Sequence, residues 1–196
     1  MKKIAISMRV DIFDVINERR DALSQEWSEL SLKIGFIPIY LPNNMILCKN
    51  ILNEVNVDGI ILSGGNNLYN YSGNAFERDE TEKFLIDYCI EKSIPILGIC
   101  RGMQIILDYF KNSLEKVENH VKVEHLLDDG DIIKCFHTFC VYNINDEFEI
   151  LARSNDNVIE KIKHKNYKIY ATNNHIERFK PFRKFDIDFL KDFFDI

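Results

Sequence analysis

Pro95-Ile96-Leu97-Gly98-Ile99-Cys100-Arg101-Gly102-Met103-Gln104 is the stretch on which the reading of this chain turns. An apolar run meets Gly-x-Cys-x-Gly, and a helical pattern of Met103, Ile105, Ile106, Leu107 and Phe110 follows. The pattern predicts a buried strand, a sharp turn and a helix, the geometry of the nucleophile elbow in Gly-x-Ser-x-Gly enzymes. Gly98 and Gly102 let strand and helix pack closely around the turn, and the side chain between them is pushed out at the carboxyl end of the strand. Here that side chain is a thiol at the amino end of a helix, where the helix dipole favours the thiolate. A buried cysteine at an ordinary strand–helix junction shares the local pattern, so two further elements carry the argument.

Upstream, Val57-Asp58-Gly59-Ile60-Ile61-Leu62-Ser63-Gly64-Gly65-Asn66-Asn67 is a second apolar strand, ending in paired glycines. Such a turn can aim backbone N–H groups at a ligand, because glycine permits close approach and positive φ. Downstream, Ile169-Tyr170-Ala171-Thr172-Asn173-Asn174-His175-Ile176-Glu177-Arg178 is a strand-like run that delivers His-x-Glu. In an extended segment His175 and Glu177 point the same way. After a turn, Glu177 can instead fold back and orient the imidazole.

Around these three elements strands alternate with helices. Lys3 to Met8, Phe36 to Pro42, Val57 to Leu62 and the elbow strand read as β. Ile16 to Ile34 reads as a helix with Leu23, Trp27, Leu30 and Ile34 on one face, and Thr81 to Lys92 as another. This predicts an α/β fold, a doubly wound, flavodoxin-like, mostly parallel sheet with right-handed crossovers and ligands at the carboxyl ends of its strands. Beyond Tyr109 short β-like runs predominate. A hairpin of 159–162 and 167–171 turns at 164–166. The expectation is an antiparallel addition in the C-terminal half, carrying His137 and His175, and an amphipathic final helix over 186–194. No linker, repeat or low-complexity segment interrupts the chain, so one domain over 1–196 is expected.

Composition narrows the class. A chain of 196 residues with 46% hydrophobic and 29% charged residues suits a soluble globular domain with a sizeable core. A net charge of −6, with no basic stripe interleaved with aromatics, argues against a nucleic-acid partner. Lys161, Lys163, His164, Lys165 and Lys168 read as a solvated hairpin. No run approaches the roughly 18 apolar residues of a membrane span, and Arg9 and Asp11 end the N-terminal apolar run too early for a signal peptide. Cysteines at 48, 89, 100, 135 and 140 fit neither a zinc site nor a disulfide ladder. A reducing cytoplasm suits a free catalytic thiol. His120 and His125, five apart, suit neither one helix face nor one strand face, so no metal and no cofactor are expected.

Together the elbow, the glycine turn and the His-x-Glu segment resemble the class I glutamine amidotransferase superfamily, and within it the γ-glutamyl hydrolase (peptidase C26-like) branch. Arginine after the cysteine in Gly98-Ile99-Cys100-Arg101-Gly102-Met103-Gln104 is typical of that branch; many ammonia-supplying amidotransferases carry leucine or tyrosine there. Arg78-Asp79 with Glu82, His120-Val121 with His125, Phe136-His137, and Ser154-x-Asp156-x-Val158-Ile159-Glu160 also look like it. The resemblance implies Cys100 as nucleophile, His175 as base, Glu177 as the acid that orients the ring, and backbone N–H groups of Gly65 and Arg101 as oxyanion hole. It implies a substrate-binding wall of Gly64, Asn66, Gln104 and His137. The activity implied is cleavage of a γ-glutamyl amide-type bond through a thioester, releasing glutamate from a small-molecule substrate, without nucleic acid or membrane. Arg9, Arg19-Arg20-Asp21 and Trp27 in a short chain look like a compact subgroup found with bacterial surface-polysaccharide genes, which implies a nucleotide-linked substrate. The other readings are a hydrolase of γ-glutamyl-γ-aminobutyrate or another γ-glutamyl amine, a glutaminase subunit that works only when docked on a synthase, and a non-catalytic binding module on the same fold. Two departures bear on the substrate. Asn174-His175-Ile176-Glu177-Arg178 stands where the branch usually has Trp-His-Pro-Glu-Arg, and Lys134-Cys135-Phe136-His137 where relatives often have Asn-Ser-Phe/Tyr-His.

Overall fold

The elbow strand lies in the middle of a seven-stranded sheet in the computed structural model, which describes residues 1–196. In chain order the elements are β1 (Lys3–Ser7), β2 (Arg9–Phe13), β3 (Glu18–Ala22), α1 (Glu26–Ile34), β4 (Ile37–Leu41), α2 (Met45–Glu54), β5 (Gly59–Leu62), α3 (Phe76–Lys92), β6 (Ile96–Ile99), α4 (Arg101–Tyr109), β7 (Glu115–Lys116), β8 (Val121–Leu126), β9 (Ile132–Phe136), β10 (Phe139–Cys140), β11 (Phe148–Arg153), β12 (Ile159–His164), β13 (Ile169–Thr172) and α5 (Lys184–Phe194). The sheet order is β11-β12-β13-β6-β5-β1-β4. The five strands from β13 to β4 are parallel; β12 and β11 add antiparallel pairs at one edge. This is the expected α/β sheet with an antiparallel C-terminal portion. No helix is long and apolar enough to cross a membrane.

Both faces of the central parallel strands β1, β5 and β6 are buried, which is why their sequences read as nearly continuous apolar runs. Successive side chains go to opposite faces. Ile4 and Ile6 meet Trp27, Leu30 and Ile34 of α1 and Leu190 and Phe194 of α5. Ala5, Ile60 and Leu62 join the larger core under α2, α3 and α4. The site therefore forms at the carboxyl ends of strands clamped by helices on both sides.

Two expectations are corrected. Residues 16–25 are not helical: β2 and β3 form a hairpin with Asp11 opposite Arg20, and Asn17 turns it at φ 50°. The helical spacing of Trp27, Leu30 and Ile34 belongs to α1 alone. Arg19 and Arg20 lie on a solvated strand, where Arg20 reaches Glu18 at 2.6 Å, rather than on a helix face. The strand that delivers His175, β13, is antiparallel to β12 but parallel to the elbow strand β6. His137 instead follows β9, in a separate hairpin with β8.

Candidate active site

Cys100 stands between β6 and α4 at φ 53°, ψ −104°, a left-handed backbone that an L residue rarely adopts. Such a conformation costs about 1–3 kcal/mol and persists only where its surroundings enforce it. They do so here through missing side chains. A Cβ on Gly98 would sit 2.7 Å from the Gly102 backbone, and one on Gly102 would sit 2.1 Å from the Leu62 carbonyl oxygen. Only glycines let α4 press this closely on β5 and β6. The Cys100 amide also donates to the Thr172 carbonyl at 2.7 Å, which ties the elbow to the strand end that carries His175.

After β13 the chain turns in a 3-10 helix over Ile176–Arg178, so Glu177 folds back instead of continuing extended. His175 Nδ1 donates to Glu177 Oε1 at 2.6 Å, and both side chains are buried. That bond fixes the tautomer and leaves Nε2, which has no other hydrogen-bond partner, for the thiol. A Cβ on Gly64 would lie 2.7 Å from His175 Cε1 and 3.5 Å from Cys100 Cβ, so the ring edge and the Cys100 side chain converge over Gly64. Burial alone would push the His175 imidazolium down. The Glu177 carboxylate and the Cys100 thiolate outweigh it and raise the group from 6.5 to about 10. The Glu177 carboxylate thus favours the charged form of the ring.

Gly65 turns at φ 86°, where a side chain would also strike Arg9. Arg78 holds this turn from behind. Its guanidinium donates to the carbonyls of Ser63 (2.7 Å), Gly64 (3.1 Å) and Gly65 (2.6 Å). With the carbonyls drawn to Arg78, the Gly65 amide is left without a backbone acceptor, as is the Arg101 amide at the start of α4. The Arg101 side chain points the other way, into a buried ion-pair cluster with Glu82 and Asp79, while Arg78 Nε reaches Glu82 at 2.9 Å. Burial works to push Glu82 up; Arg101 and Arg78 hold it below its ordinary value. Two cations and two carboxylates balance, which makes burial of four charges tolerable.

A pocket of about 370 Å³ opens beside the thiol. Gly65, Asn66, Cys100, Arg101, Gln104 and His137 line it, together with Asn67, Phe136 and Thr138. Gly64 is not on this wall; it borders a smaller cleft between Arg9 and His175. The Asn66 side chain is engaged by the protein, donating to Val10 O at 2.8 Å and accepting from Val10 N at 2.9 Å. Gln104 Nε2 and His137 Nδ1 both donate to the Phe139 carbonyl, at 3.0 Å each. Phe136 meets the His175 ring edge-on at 5.3 Å, and Arg178 stacks over Phe136 at 4.2 Å. Arg9 lies against Gly65 on the site side. Three of the four lysines of the 161–168 hairpin are paired: Lys161 with Asp129 and Asp131, Lys163 with Glu149, Lys168 with Asp195.

The role of Arg78 went unread in the sequence, although a signal existed. Arg78 and Glu82 share a helix face with Leu85, Ile86 and Cys89. Charged residues on an apolar stripe are either errors or devices. A second buried set, Cys135, His120, His137 and Glu160, also contains cysteine, histidine and glutamate. It does not have the form of a nucleophile site. Cys135 Sγ faces Glu160 Oε1 at 4.0 Å rather than a histidine nitrogen, lies inside a strand, and does not reach the pocket. Burial and the Glu160 charge drive its thiol far up.

Residues 11–195 match the family described as Glutamine amidotransferase class-I. The chain is 33% identical over 202 residues, 98% of both chains, to gamma-glutamyl-CDP-amidate hydrolase of Campylobacter jejuni. It is 34% identical over 156 residues to a glutamine-hydrolyzing GMP synthase subunit of Pyrococcus abyssi, covering 74% of this chain and 78% of that one. Among solved structures it superposes on a GMP synthase subunit protein of Thermoplasma acidophilum with TM-score 0.76 at 21% identity, over 100% of this chain and 93% of that chain. A glutamine amidotransferase of Thermotoga maritima gives TM-score 0.65 at 17% identity, over 97% and 83%. The chain belongs to the class I glutamine amidotransferase family, and its class is that of a hydrolase. Its full-length likeness is to a relative that bears a γ-glutamyl hydrolase name.

Proposed function

We propose that this protein is a stand-alone cysteine hydrolase, carried by one domain over 1–196, that cleaves a γ-glutamyl amide-type bond with Cys100, His175 and Glu177. The observation that carries the reading is the convergence of the strained Cys100 thiol and the free Nε2 of a Glu177-anchored His175 over Gly64. The Cys100 thiolate attacks the γ-carbonyl carbon. The oxygen becomes an oxyanion between the amides of Gly65 and Arg101, with the carbonyls of the Ser63–Gly65 turn held away by Arg78. The proton on His175 Nε2 passes to the leaving nitrogen as the C–N bond breaks, and a γ-glutamyl thioester remains on Cys100. Water then gives a proton to His175 and its oxygen to the carbonyl. Collapse releases glutamate and restores the thiolate–imidazolium pair. Glu177 keeps the imidazole oriented and stabilises its charged form throughout.

For the leaving group we propose the amidate nitrogen of CDP, so that γ-glutamyl-CDP-amidate (CDP-L-glutamine) yields cytidine diphosphoramidate and glutamate, as in capsule biosynthesis. Full-length identity to the Campylobacter jejuni hydrolase supports it. So do Arg9 and Arg178, whose guanidinium groups border the cleft beside Gly64 and His175 and can serve an anionic leaving group while paired with Asp11 at 2.8 Å and Glu177 at 3.5 Å. Purified protein should release glutamate fastest from CDP-linked glutamine, with free glutamine and γ-glutamyl-γ-aminobutyrate far behind and the Cys100→Ala variant inactive. Faster release from γ-glutamyl-γ-aminobutyrate would replace the substrate and keep the chemistry. Identity to the glutamine-hydrolyzing GMP synthase chain favours a second reading, a glutaminase that serves a synthase. Glutamine cleavage that appears only on adding a synthase would establish it.

A further inference from the structure

His120, Cys135, His137 and Glu160 present four donor atoms within 4.8 Å of one another, and all four residues are buried. The hydrogen bonds around them fix what those atoms are. His137 Nδ1 lies 3.0 Å from the Phe139 carbonyl oxygen, which can only accept, so Nδ1 carries the proton. His120 Nε2 lies 2.8 Å from Asp156 Oδ2, which also accepts, so that proton is on Nε2. In each neutral ring the other nitrogen is a bare lone pair. His120 Nδ1 then faces Glu160 Oε1 at 3.3 Å, and His137 Nε2 faces Glu160 Oε2 at 3.6 Å. Neither of these nitrogens, nor Glu160 Oε2, has a hydrogen-bond partner. Acceptors facing acceptors without water are costly. A proton on His120 Nδ1 would let that ring donate to both Asp156 and Glu160, but it leaves His137 Nε2 and Glu160 Oε2 facing each other unpaired; a second proton, on His137, would set two imidazolium cations side by side, with ring centroids 4.8 Å apart.

We propose that these four residues form a structural site for a divalent transition-metal cation of the zinc type. Its donors are His120 Nδ1, Cys135 Sγ, His137 Nε2 and one oxygen of Glu160. Metal–ligand lengths of about 2.0–2.3 Å put tetrahedral donor–donor edges at about 3.3–3.7 Å. The N–O separations of 3.3 and 3.6 Å match, and the S–O separation of 4.0 Å needs to close by only a few tenths. On binding, the Cys135 thiol loses its proton to solvent and the sulfur becomes a thiolate ligand. One divalent cation, one thiolate, one carboxylate and two neutral imidazoles sum to zero charge, which suits a buried site. The outer contacts are those metal-bound histidines use: a carboxylate on one ring and a backbone carbonyl on the other. Four protein donors leave no open position, so the site is a staple rather than a Lewis acid.

The staple joins the β8–β9 hairpin to the main sheet. His120 precedes β8, Cys135 lies in β9, His137 follows it and Glu160 lies in β12. Cys135 and His137, two apart, turn to the same side, while Phe136 between them turns to His175. A metal here would order the strand that carries the pocket wall.

The test starts from Cys100→Ala protein, so that the reactive thiol cannot bind metal. After chelation and buffer exchange, the protein should take up about one Zn²⁺ per chain and melt at a higher temperature. Co²⁺ in its place should give the visible bands of a tetrahedral site and a thiolate-to-cobalt charge-transfer band. Cys135→Ser should remove the charge-transfer band and lower metal retention at least tenfold. If that variant does not fold, the charge-transfer band in the Cys100→Ala parent decides alone. Uptake below a tenth of an equivalent, no rise in melting temperature, or a cobalt spectrum without the charge-transfer band would each overturn the proposal.

Discussion

Cys100, His175 and Glu177 meet at the carboxyl ends of β6 and β13, whereas Cys135, His120, His137 and Glu160 meet between the β8–β9 hairpin and β12. Residue types are shared; the order of donors and acceptors is not. In the first set each proton has one place to go. Glu177 accepts from His175 Nδ1, and Nε2 is left to serve the thiol, which sits on a strained turn beside a pocket. In the second set the outward nitrogens are tied to Asp156 and Phe139, so the inward lone pairs face a carboxylate in a closed space. Chemistry at a Cys/His/Glu cluster is thus decided by which ring nitrogen is anchored and by access to a cavity. The residue list alone does not decide it.

The sharpest way to break this comparison is to remove each thiol in turn. Cys100→Ser should lower glutamate release by about 10⁵–10⁶-fold, the scale set when a nucleophile is lost from a cooperating triad. Cys135→Ser, measured on the same substrate, should stay within about tenfold of wild type, because no bond is made or broken there. The reverse pattern would move the reacting site to β9. A step smaller, Glu177→Gln should lower kcat by about 10⁴-fold by supplying the wrong hydrogen-bonding partner to Nδ1. Glu160→Gln should leave kcat within about tenfold and appear as a lower melting temperature instead. Smaller again, Arg78→Lys keeps the charge but loses the three-carbonyl grip. It should cost about 10²–10³ in kcat with little change in KM, the scale of one lost oxyanion donor. An unchanged kcat would show that the Ser63–Gly65 turn needs no clamp.

The smallest effect is in pH dependence. His175 titrates near 6.5 when unfolded and at about 10 when folded, so its contribution to stability is complete below 6.5 and is lost as pH rises through about 10. From pH 7 to pH 10 the melting temperature of the wild type should therefore fall more steeply than that of His175→Gln. Parallel curves would mean that the histidine is not held as an imidazolium.

The first cluster was legible because its pieces are local. Gly98, Cys100 and Gly102 lie within one turn, and His175 and Glu177 are two apart; a strand end and one helical turn suffice to aim them. The pairing of β6 with β13 that joins them follows from ordinary parallel topology. The second cluster was not legible, since His120, Cys135, His137 and Glu160 come from three separate strands or their ends. Testing His120 only against His125 missed them; the Cys135-x-His137 spacing, which puts two ligands on one strand face, was the available clue. The β2–β3 hairpin was misread for a different reason. The spacing of Trp27, Leu30 and Ile34 belongs to α1, and extending it back through Leu23 to Ile16 took in Glu18–Ala22, a strand with no apolar alternation to mark it. A projecting, solvated hairpin gives propensity little packing to report.

The most direct measurement is where the glutamyl group attaches. A short reaction with a γ-glutamyl substrate, quenched in acid and mapped by peptide mass spectrometry, should find a glutamyl thioester on the peptide bearing Cys100, with Cys135 unmodified. An adduct on Cys135, or glutamate release with no adduct on Cys100 at any quench time, would contradict the account.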